Sequence, residues 1–248
     1  MVNATQFQVF DKNGVSVLGP ATFGNLWPVG DLCRRNDGDP IVVYDHLADR
    51  WILSQFRDGR PVGANDGVNA LCIAVSQTPD PTLPNRWNLY RFNTPNFPDY
   101  PKFGVWPDGY YMSTYESPNL GVYVFDRANM LLGNPATFMR RTIPSLGAPG
   151  VRDTRILPAD LDGAAPPAGT PNFFARTVDG QQDPGNPVDR IEVYSAAANF
   201  ATTTFNFTLV NTLAPTAFQI MLCKGTEPCN HQGNCTDNRD SCLYRRGK

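Results

Sequence analysis

The sequence predicts an all-β fold, a β-propeller of four-stranded antiparallel blades, on three observations. An Asp opens a strand-like run three times at near-constant spacing: Asp39 before Ile41-Val42-Val43-Tyr44, Asp99 before Lys102-Phe103-Gly104-Val105-Trp106, and Asp160 before Leu161, 60 and 61 residues apart. Each interval also holds three further β-type runs divided by turn residues. Composition agrees, because 23 Pro, 21 Gly and only 18% charged residues among 248 imply frequent turns and no long charged helices. A four-strand unit that repeats with a landmark residue is the signature of a propeller, since one small sheet cannot bury both faces and must stack on copies of itself.

Taken in order, Thr5–Gly14 reads as a strand and turn, an outer strand of a neighbouring blade, within a lead-in segment 1–38. The first blade, 39–97, continues through Trp51–Phe56, Leu71–Ser76 and Arg86–Phe92. The second, 98–155, continues through Tyr110–Tyr115, Val122–Phe125 and Thr137–Thr142. The third, 156–215, continues through Asn172–Thr177, Arg190–Ser195 and Thr203–Val210. Ile41–Tyr44, Lys102–Trp106 and Ile156–Leu161 are the expected innermost strands, with the most buried residues of their blades. Asp126–Gly133 is the best helical candidate, a short run closed by Gly. Segment 216–248 opens a further blade at Thr216–Leu222 and runs into a Cys-rich tail. Closed propellers hold about four to eight blades, so about sixty residues per blade makes this a minimal propeller or part of a larger one. An open ring would leave the faces of its end blades wet and favour self-association.

A formal net charge of −2 gives no footprint for nucleic acid or an anionic membrane. No run approaches the ~18 apolar residues that would span a bilayer. Met1-Val2-Asn3-Ala4-Thr5 carries no secretory leader, which fits either an intracellular protein or a processed region with an added start Met. The cysteines favour secretion. Cys33 and Cys72 lie in or beside the first blade, whereas Cys223, Cys229, Cys235 and Cys242 crowd the last 26 residues. An even count in a Gly/Asn/Asp-rich setting reads as disulfides formed in an oxidising compartment, with Cys33 paired to Cys72 as the two outside the tail. Zinc is the competing reading, but the tail spacings lack the short C-x2–4-C knuckle and His231 does not restore it. Asn3-Ala4-Thr5, Asn206-Phe207-Thr208 and Asn234-Cys235-Thr236 fit the glycosylation sequon, a tripeptide that also arises by chance.

In a propeller the loops entering the innermost strands share one end of the channel with the loops joining second and third strands. Asp39, Asp99 and Asp160 would then ring a mouth reached by Arg57, Asp58, Arg60, Asn65 and Asp66 of the first blade, Glu116 and Lys102 of the second, and Asp179 and Asp183 of the third. Three roles are open for such a ring. The aspartates cap strands or form Asx-turns; they bind Ca2+ or another hard cation; or, with Glu116, they supply the acid and the ionised partner of glycoside hydrolysis, which sit about 5–9.5 Å apart. Arg57, Arg60, Lys102 and Asp66 are the candidate ligand-binding side chains around them. His46 falls in the first hairpin at the opposite end and reads as a turn residue. Two histidines and no Gly-x-Ser-x-Gly, His-Glu-x-x-His or phosphate loop argue against serine hydrolase, zincin and nucleotide-dependent chemistry.

Several phrases carry a resemblance: Gly38-Asp39-Pro40-Ile41-Val42-Val43-Tyr44-Asp45-His46-Leu47-Ala48-Asp49-Arg50-Trp51, Ile73-Ala74-Val75-Ser76-Gln77-Thr78-Pro79-Asp80-Pro81, Asp99-Tyr100-Pro101-Lys102 with Trp106-Pro107-Asp108-Gly109-Tyr110-Tyr111, and Leu157-Pro158-Ala159-Asp160-Leu161-Asp162-Gly163. Together the chain resembles large, mostly uncharacterised secreted bacterial proteins with a sialidase-like propeller. It is similar, more weakly, to five-bladed furanosidase-type glycoside hydrolases. The Ser-x-Asp-x-Gly-x-x-x-Trp turn of true sialidases and their arginine triad are absent, so sialic acid chemistry is not implied. Two functions follow as expectations. One is a secreted, non-catalytic module that recognises a glycan or an extracellular protein, without a required cofactor; the other is a glycoside hydrolase or other polysaccharide-cleaving enzyme. Fold alone does not separate them, and the first is favoured because strand capping accounts for the repeated Asp without chemistry.

Overall fold

The protein is described here by a computed structural model covering residues 1–3, 5–59, 67–83, 85–144, 146, 155–180, 183 and 185–218. Its strands are grouped in chain order into one three-stranded and three four-stranded antiparallel sheets. The N-terminal sheet holds β1 (Val2–Asn3), β2 (Gln6–Phe10) and β3 (Ser16–Thr22). Sheet 1 holds β4 (Ile41–Asp45), β5 (Arg50–Arg57), β6 (Asn69–Ser76) and β7 (Trp87–Thr94). Sheet 2 holds β8 (Asp99–Trp106), β9 (Gly109–Glu116), β10 (Asn119–Phe125) and β11 (Phe138–Pro144). Sheet 3 holds β12 (Leu157–Pro158), β13 (Asn172–Val178), β14 (Arg190–Asn199) and β15 (Thr204–Leu213). Each four-stranded sheet is a simple meander, so every strand pairs with its sequence neighbour.

Helix α1 (Arg127–Leu132) interrupts sheet 2 where the sequence predicts it. Asp126 accepts the backbone N–H of Asn129, and Gly133 closes the helix at φ +73°, a conformation Gly adopts without a Cβ penalty. Asn129 Nδ2 also donates to Asp126 Oδ2 at 2.6 Å. Two short 3-10 turns, Phe23–Leu26 and Leu32–Arg34, lead from β3 into sheet 1.

The cores lie between successive sheets, face to face. Phe7, Phe23 and Trp27 of the N-terminal region pack on Leu53, Cys72, Ala74 and Trp87 of sheet 1. The other face of sheet 1, with Ile52, Leu71, Ile73 and Val75, meets Val105, Tyr110, Met112 and Phe125 of sheet 2. Sheet 2 turns Tyr111, Leu120, Val122 and Val124 toward Phe174, Tyr194 and Phe205 of sheet 3. Covered on both sides, β6 and β10 are buried almost without interruption. Among the described residues sheet 3 is covered on one side, and β13 alternates strictly between buried and exposed.

The same layering corrects one expectation. β4, β8 and β12 are the first strands of their sheets, but they are not the most buried; β4 is mostly half-exposed, whereas β5 and β6 are sealed. Among the described residues a first strand has a hydrogen-bonded neighbour on one side only, so its other edge stays open unless another element covers it. These first strands nevertheless converge, β4 on β8 and β8 on β12. Gly104 of β8 lies so close to Ala159 that a Cβ there would stand 2.4 Å from the Ala159 carbonyl oxygen.

A disulfide joins Cys33 to Cys72 with Cα atoms 5.7 Å apart, as the sequence predicts, and pins the second 3-10 turn to β6. It is compatible with an oxidising compartment. The four tail cysteines, with the strand expected at Thr216–Leu222 beyond Phe218, lie outside the described residues. Among the described residues no helix is long and apolar enough to cross a membrane.

Candidate functional site

The end of the molecule where β4 and β8 begin gathers the polar groups. Gly38 reaches Phe56 through a backbone bond, Phe56 N–H to Gly38 O at 3.3 Å, which places Asp39 level with the end of β5. Across the seam β8 begins at Asp99, opposite Tyr115 of β9, and its register shifts before Lys102. Asp39 and Tyr100 both hold left-handed backbone, at φ +44° and +54°. Asp tolerates that region through local side-chain bonding, while for Tyr it is a strained conformation. The irregularity turns the Tyr100 ring outward, 47% exposed.

Two cations flank that ring. Lys102 Nζ lies 3.8 Å from its centroid, and the Arg155 guanidinium carbon lies 5.1 Å from it and 4.4 Å from the Tyr115 ring. A cleft of about 400 Å³ is lined by Val2, Asn3, Asp39, Ile41, Tyr100 and Lys102. A second, of about 620 Å³, is lined by Phe56, Asn69, Asn96, Phe97, Asp99 and Tyr115. The surrounding protein desolvates Asp39 even though the residue keeps a solvent-facing side, and this, with the nearby Asp99 carboxylate, raises its pKa above the ordinary value; Lys102 and the Tyr100 N–H pull it back only in part.

The three expected aspartates therefore separate. Asp39 and Asp99 share this mouth, but Asp160 does not. Asp160 lies past the end of β12, where its Oδ1 accepts the Val105 N–H at 2.8 Å. Val105 is six residues along β8 from Asp99, about 20 Å by strand rise. The even count of residues misleads because it lands before β4 and at the start of β8 but after the end of β12 (Leu157–Pro158). Arg155, not Asp160, stands at the mouth end of sheet 3. The work of Asp160 is to satisfy a backbone donor across the seam between sheets 2 and 3.

Glu116 reaches the same end but is 1% exposed. Its Oε1 accepts from Thr114 Oγ1 at 3.0 Å and from the Tyr123 hydroxyl; its Oε2 accepts from Asn96 Nδ2 at 3.2 Å and pairs with Arg140 Nη2. With both oxygens engaged, it has a structural place in the sheet. Arg57 is buried as well, and its Nη1 donates to the Val68 carbonyl. Asp58 offers its N–H to Asp37 Oδ2 at 3.1 Å. Asp179 is buried, and Asp183 pairs with Arg190 at 2.6 Å. Arg60, Asn65 and Asp66 lie outside the described residues. Lys102 is the candidate ligand-binding side chain found at the cleft.

His46 is at the far end, as expected, with Nε2 2.8 Å from the Gly163 carbonyl oxygen. Beside it Asp45 is fully buried and bridges sheets 1 and 2, accepting Arg127 Nε at 2.7 Å and the Tyr110 hydroxyl at 2.9 Å. Burial first, and the Asp45 carboxylate second, push the Tyr110 hydroxyl well above its ordinary pKa. A related network sits inside sheet 3. There Glu192 accepts Arg176 Nε at 2.6 Å, Arg190 Nε at 2.7 Å and the Tyr194 hydroxyl at 2.6 Å. Burial alone would raise Glu192, but the bonds from Tyr194, Arg190 and Arg176 outweigh it and hold the carboxyl below its ordinary value. Tyr194 is pushed up to about 12 by burial and by Glu192.

Among the described residues no group of three or more His, Cys, Asp or Glu is placed to hold a metal ion. Tyr100, Tyr115 and Arg155 are the mouth residues that sequence reading passed over. Tyr100 carried a weak signal, an aromatic between Asp99 and Pro101 where a strand should begin; Arg155 carried none. Compared with protein-family models, with curated proteins and with solved structures, the chain finds no match in any of the three.

Proposed function

We propose that the sheets are blades of a β-propeller and that the mouth around Tyr100 recognises a glycan without cleaving it. The converging first strands and the sheet-on-sheet cores support the ring. The observation that carries the recognition reading is the outward Tyr100 ring held between Lys102 and Arg155 above two polar clefts. A flat aromatic offers an apolar face to the C–H side of a sugar ring, and the neighbouring Asn, Asp and Lys groups offer donors and acceptors to its hydroxyls. Glu116 and Asp160 are spent on structural bonds, which leaves Asp39 and Asp99 as the acidic pair of the mouth. A glycan array probed with the wild type and with Tyr100→Ala tests this. Tyr100→Ala should abolish binding with an unchanged melting temperature; wild-type protein that binds no glycan, or a variant that binds equally, defeats the reading.

One observation favours hydrolysis as the second reading. Asp39 and Asp99 are neighbouring carboxylates, and the pKa of Asp39 is raised, which is how an acid and an ionised partner are set apart. Release of reducing sugar from a polysaccharide panel, lost in Asp39→Asn and in Asp99→Asn, would select it over recognition. Calcium added to either assay shows whether the acidic pair takes a hard cation.

A further inference from the structure

Each sheet ends on a last strand, β3, β7, β11 or β15, and three of the four carry features that discourage pairing at an open edge. β3 contains Pro20, which has no N–H to donate. β7 carries the exposed Arg91, and α1 lies against it, with Asn88 Nδ2 donating to the Met130 carbonyl at 3.0 Å and the Tyr90 hydroxyl to the same carbonyl at 3.2 Å. β11 carries Arg140 and Arg141 and stops on Pro144. β15 differs from all three. Its residues, Thr204–Leu213, include no charged residue, no Pro and no Gly. Among the described residues it has a hydrogen-bonded neighbour on one side only, β14. Because the first strands converge, this fourth strand stands at the rim of its sheet. A long, uncharged edge is a template for another strand.

The residues of β15 indicate which strand fits. Thr204-Phe205-Asn206-Phe207-Thr208 reads the same in both directions. An antiparallel copy related by a twofold axis at Asn206 therefore sets like against like: Asn206 opposite Asn206, each Phe205 opposite Phe207, and each Thr204 opposite Thr208. The faces agree as well. Phe205 and Phe207 belong to the core between sheets 2 and 3, while Thr204, Asn206 and Thr208 are exposed on the opposite face, and directly opposed residues of an antiparallel pair share a face. Phenylalanine then meets phenylalanine, extending the aromatic cluster in which the Phe207 ring centroid lies 5.0 Å from that of Tyr194 and 5.3 Å from that of Phe174. The regular part of the strand spans this segment. Thr204 to Leu209 pair in step with Asn199 to Tyr194, and the register shifts only at Val210, the extra residue of a bulge.

We propose that two copies of this chain associate through β15, pairing antiparallel about Asn206 and joining two four-stranded sheets into one continuous sheet. The pairing requires neither a closed ring nor a ligand at the mouth. A strand pair of this length buries less than the about 1,200–2,000 Å² of a standard interface, so the dimer is reversible and its dissociation constant is micromolar or weaker.

Sedimentation velocity on the full chain from about 1 to 500 µM tests the association, with a shift from monomer to dimer expected across that range. Wild type that stays monomeric throughout overturns the proposal, whether the edge is bare or covered by its own chain. Charge tests the place and the axis. Asn206→Lys sets two ammonium groups opposite each other and Asn206→Glu two carboxylates, so each variant alone should weaken association by about tenfold or more with an unchanged melting temperature. An equimolar mixture of the two should restore it as a mixed dimer, because unlike charges then face. A variant that dimerises as well as wild type overturns the proposal, and so does a mixture no tighter than its components. Oxidative cross-linking gives a second readout, of register. Opposed antiparallel residues hold their Cα atoms about 4.5–5.5 Å apart, within disulfide reach. Asn206→Cys should therefore form a linked dimer above the wild-type background, whereas Thr208→Cys, whose counterpart lies about 13 Å along the partner strand, should not. Equal cross-linking at the two positions, or none at either, refutes the pairing.

Discussion

Removal of the Cys33–Cys72 bridge should produce one of the largest stability losses available outside the sheet cores. The bridge closes a loop of 39 residues between a 3-10 turn and the centre of sheet 1. Loop-closure entropy for that length is worth about 4 kcal/mol at 25 °C, on the model in which the cross-link restricts the unfolded chain. Both sulfurs are fully buried against Phe7, Phe23 and Leu53, so Cys33→Ala/Cys72→Ala adds a small packing loss in the same direction. At about 2–4 °C per kcal/mol for a chain of this size, the melting temperature should fall by about 8–16 °C. Urea unfolding of the oxidised wild type and the double variant, with the tail cysteines intact in both, gives the difference directly. A loss below about 1 kcal/mol would show that the N-terminal region docks on sheet 1 without needing the restraint. Six titratable thiols in denatured, unreduced protein would show that the bond does not form.

Four further outcomes follow from the packing and the charges. Gly104→Ala drives a Cβ to 2.4 Å from the Ala159 carbonyl, so the seam between sheets 2 and 3 must open at a cost of about 1–3 kcal/mol in chemical denaturation; a neutral result refutes the close approach of β8 and β12. Glu116→Leu strands Arg140 in a largely buried setting and should cost about 3 kcal/mol, whereas a loss under about 1 kcal/mol would mean that the Arg140 guanidinium reaches water. Glu192, whose folded pKa is depressed, contributes stability above the unfolded carboxyl value of about 4.3 that disappears as pH falls through the folded value; melting curves of Glu192→Gln between pH 3 and 6 should therefore be flatter than those of the wild type. Asp39 has the opposite sign, because its raised carboxyl costs stability as pH rises through it. Asp39→Asn should accordingly be neutral or slightly stabilising at pH 7, by a few tenths of a kcal/mol, and a clear destabilisation in thermal melts would assign Asp39 a structural bond instead.

The strands of sheets 1 to 3 were legible because each is a run of β-branched and aromatic residues cut off by turn residues, as in Leu71–Ser76 between Gly67 and Pro79. Helix α1 was legible from its ends, Asp126 and Gly133. The mouth was half legible. Asp39 and Asp99 were found because each stands at the start of the first strand of its sheet; Asp160 was misplaced because the same residue count lands after β12 rather than before it. Glu116 was placed at the correct end with the wrong environment. Nothing beside it in sequence reveals that Arg140, 24 residues later, folds back two strands away to neutralise it. The prominence of Tyr100 depends on a left-handed residue and a register shift, which local propensity does not encode.

The amino-acid sequence by itself determined the all-β class, the four-strand period, the pairing of Cys33 with Cys72 and the position of the one helix found among the described residues, since each depends on spacing of 2 or 3.6 residues, on turn chemistry or on elimination among few cysteines. Tertiary structure decided which carboxylates face solvent and which are consumed inside. That outcome depends on which side chains arrive from other strands and other sheets. For Asp45, Glu116, Asp160 and Glu192 the deciding partners are Arg127, Arg140, the Val105 N–H, and Arg176 with Arg190. Charge, desolvation and hydrogen bonding act over a few ångströms of space, and sequence separation does not measure that distance.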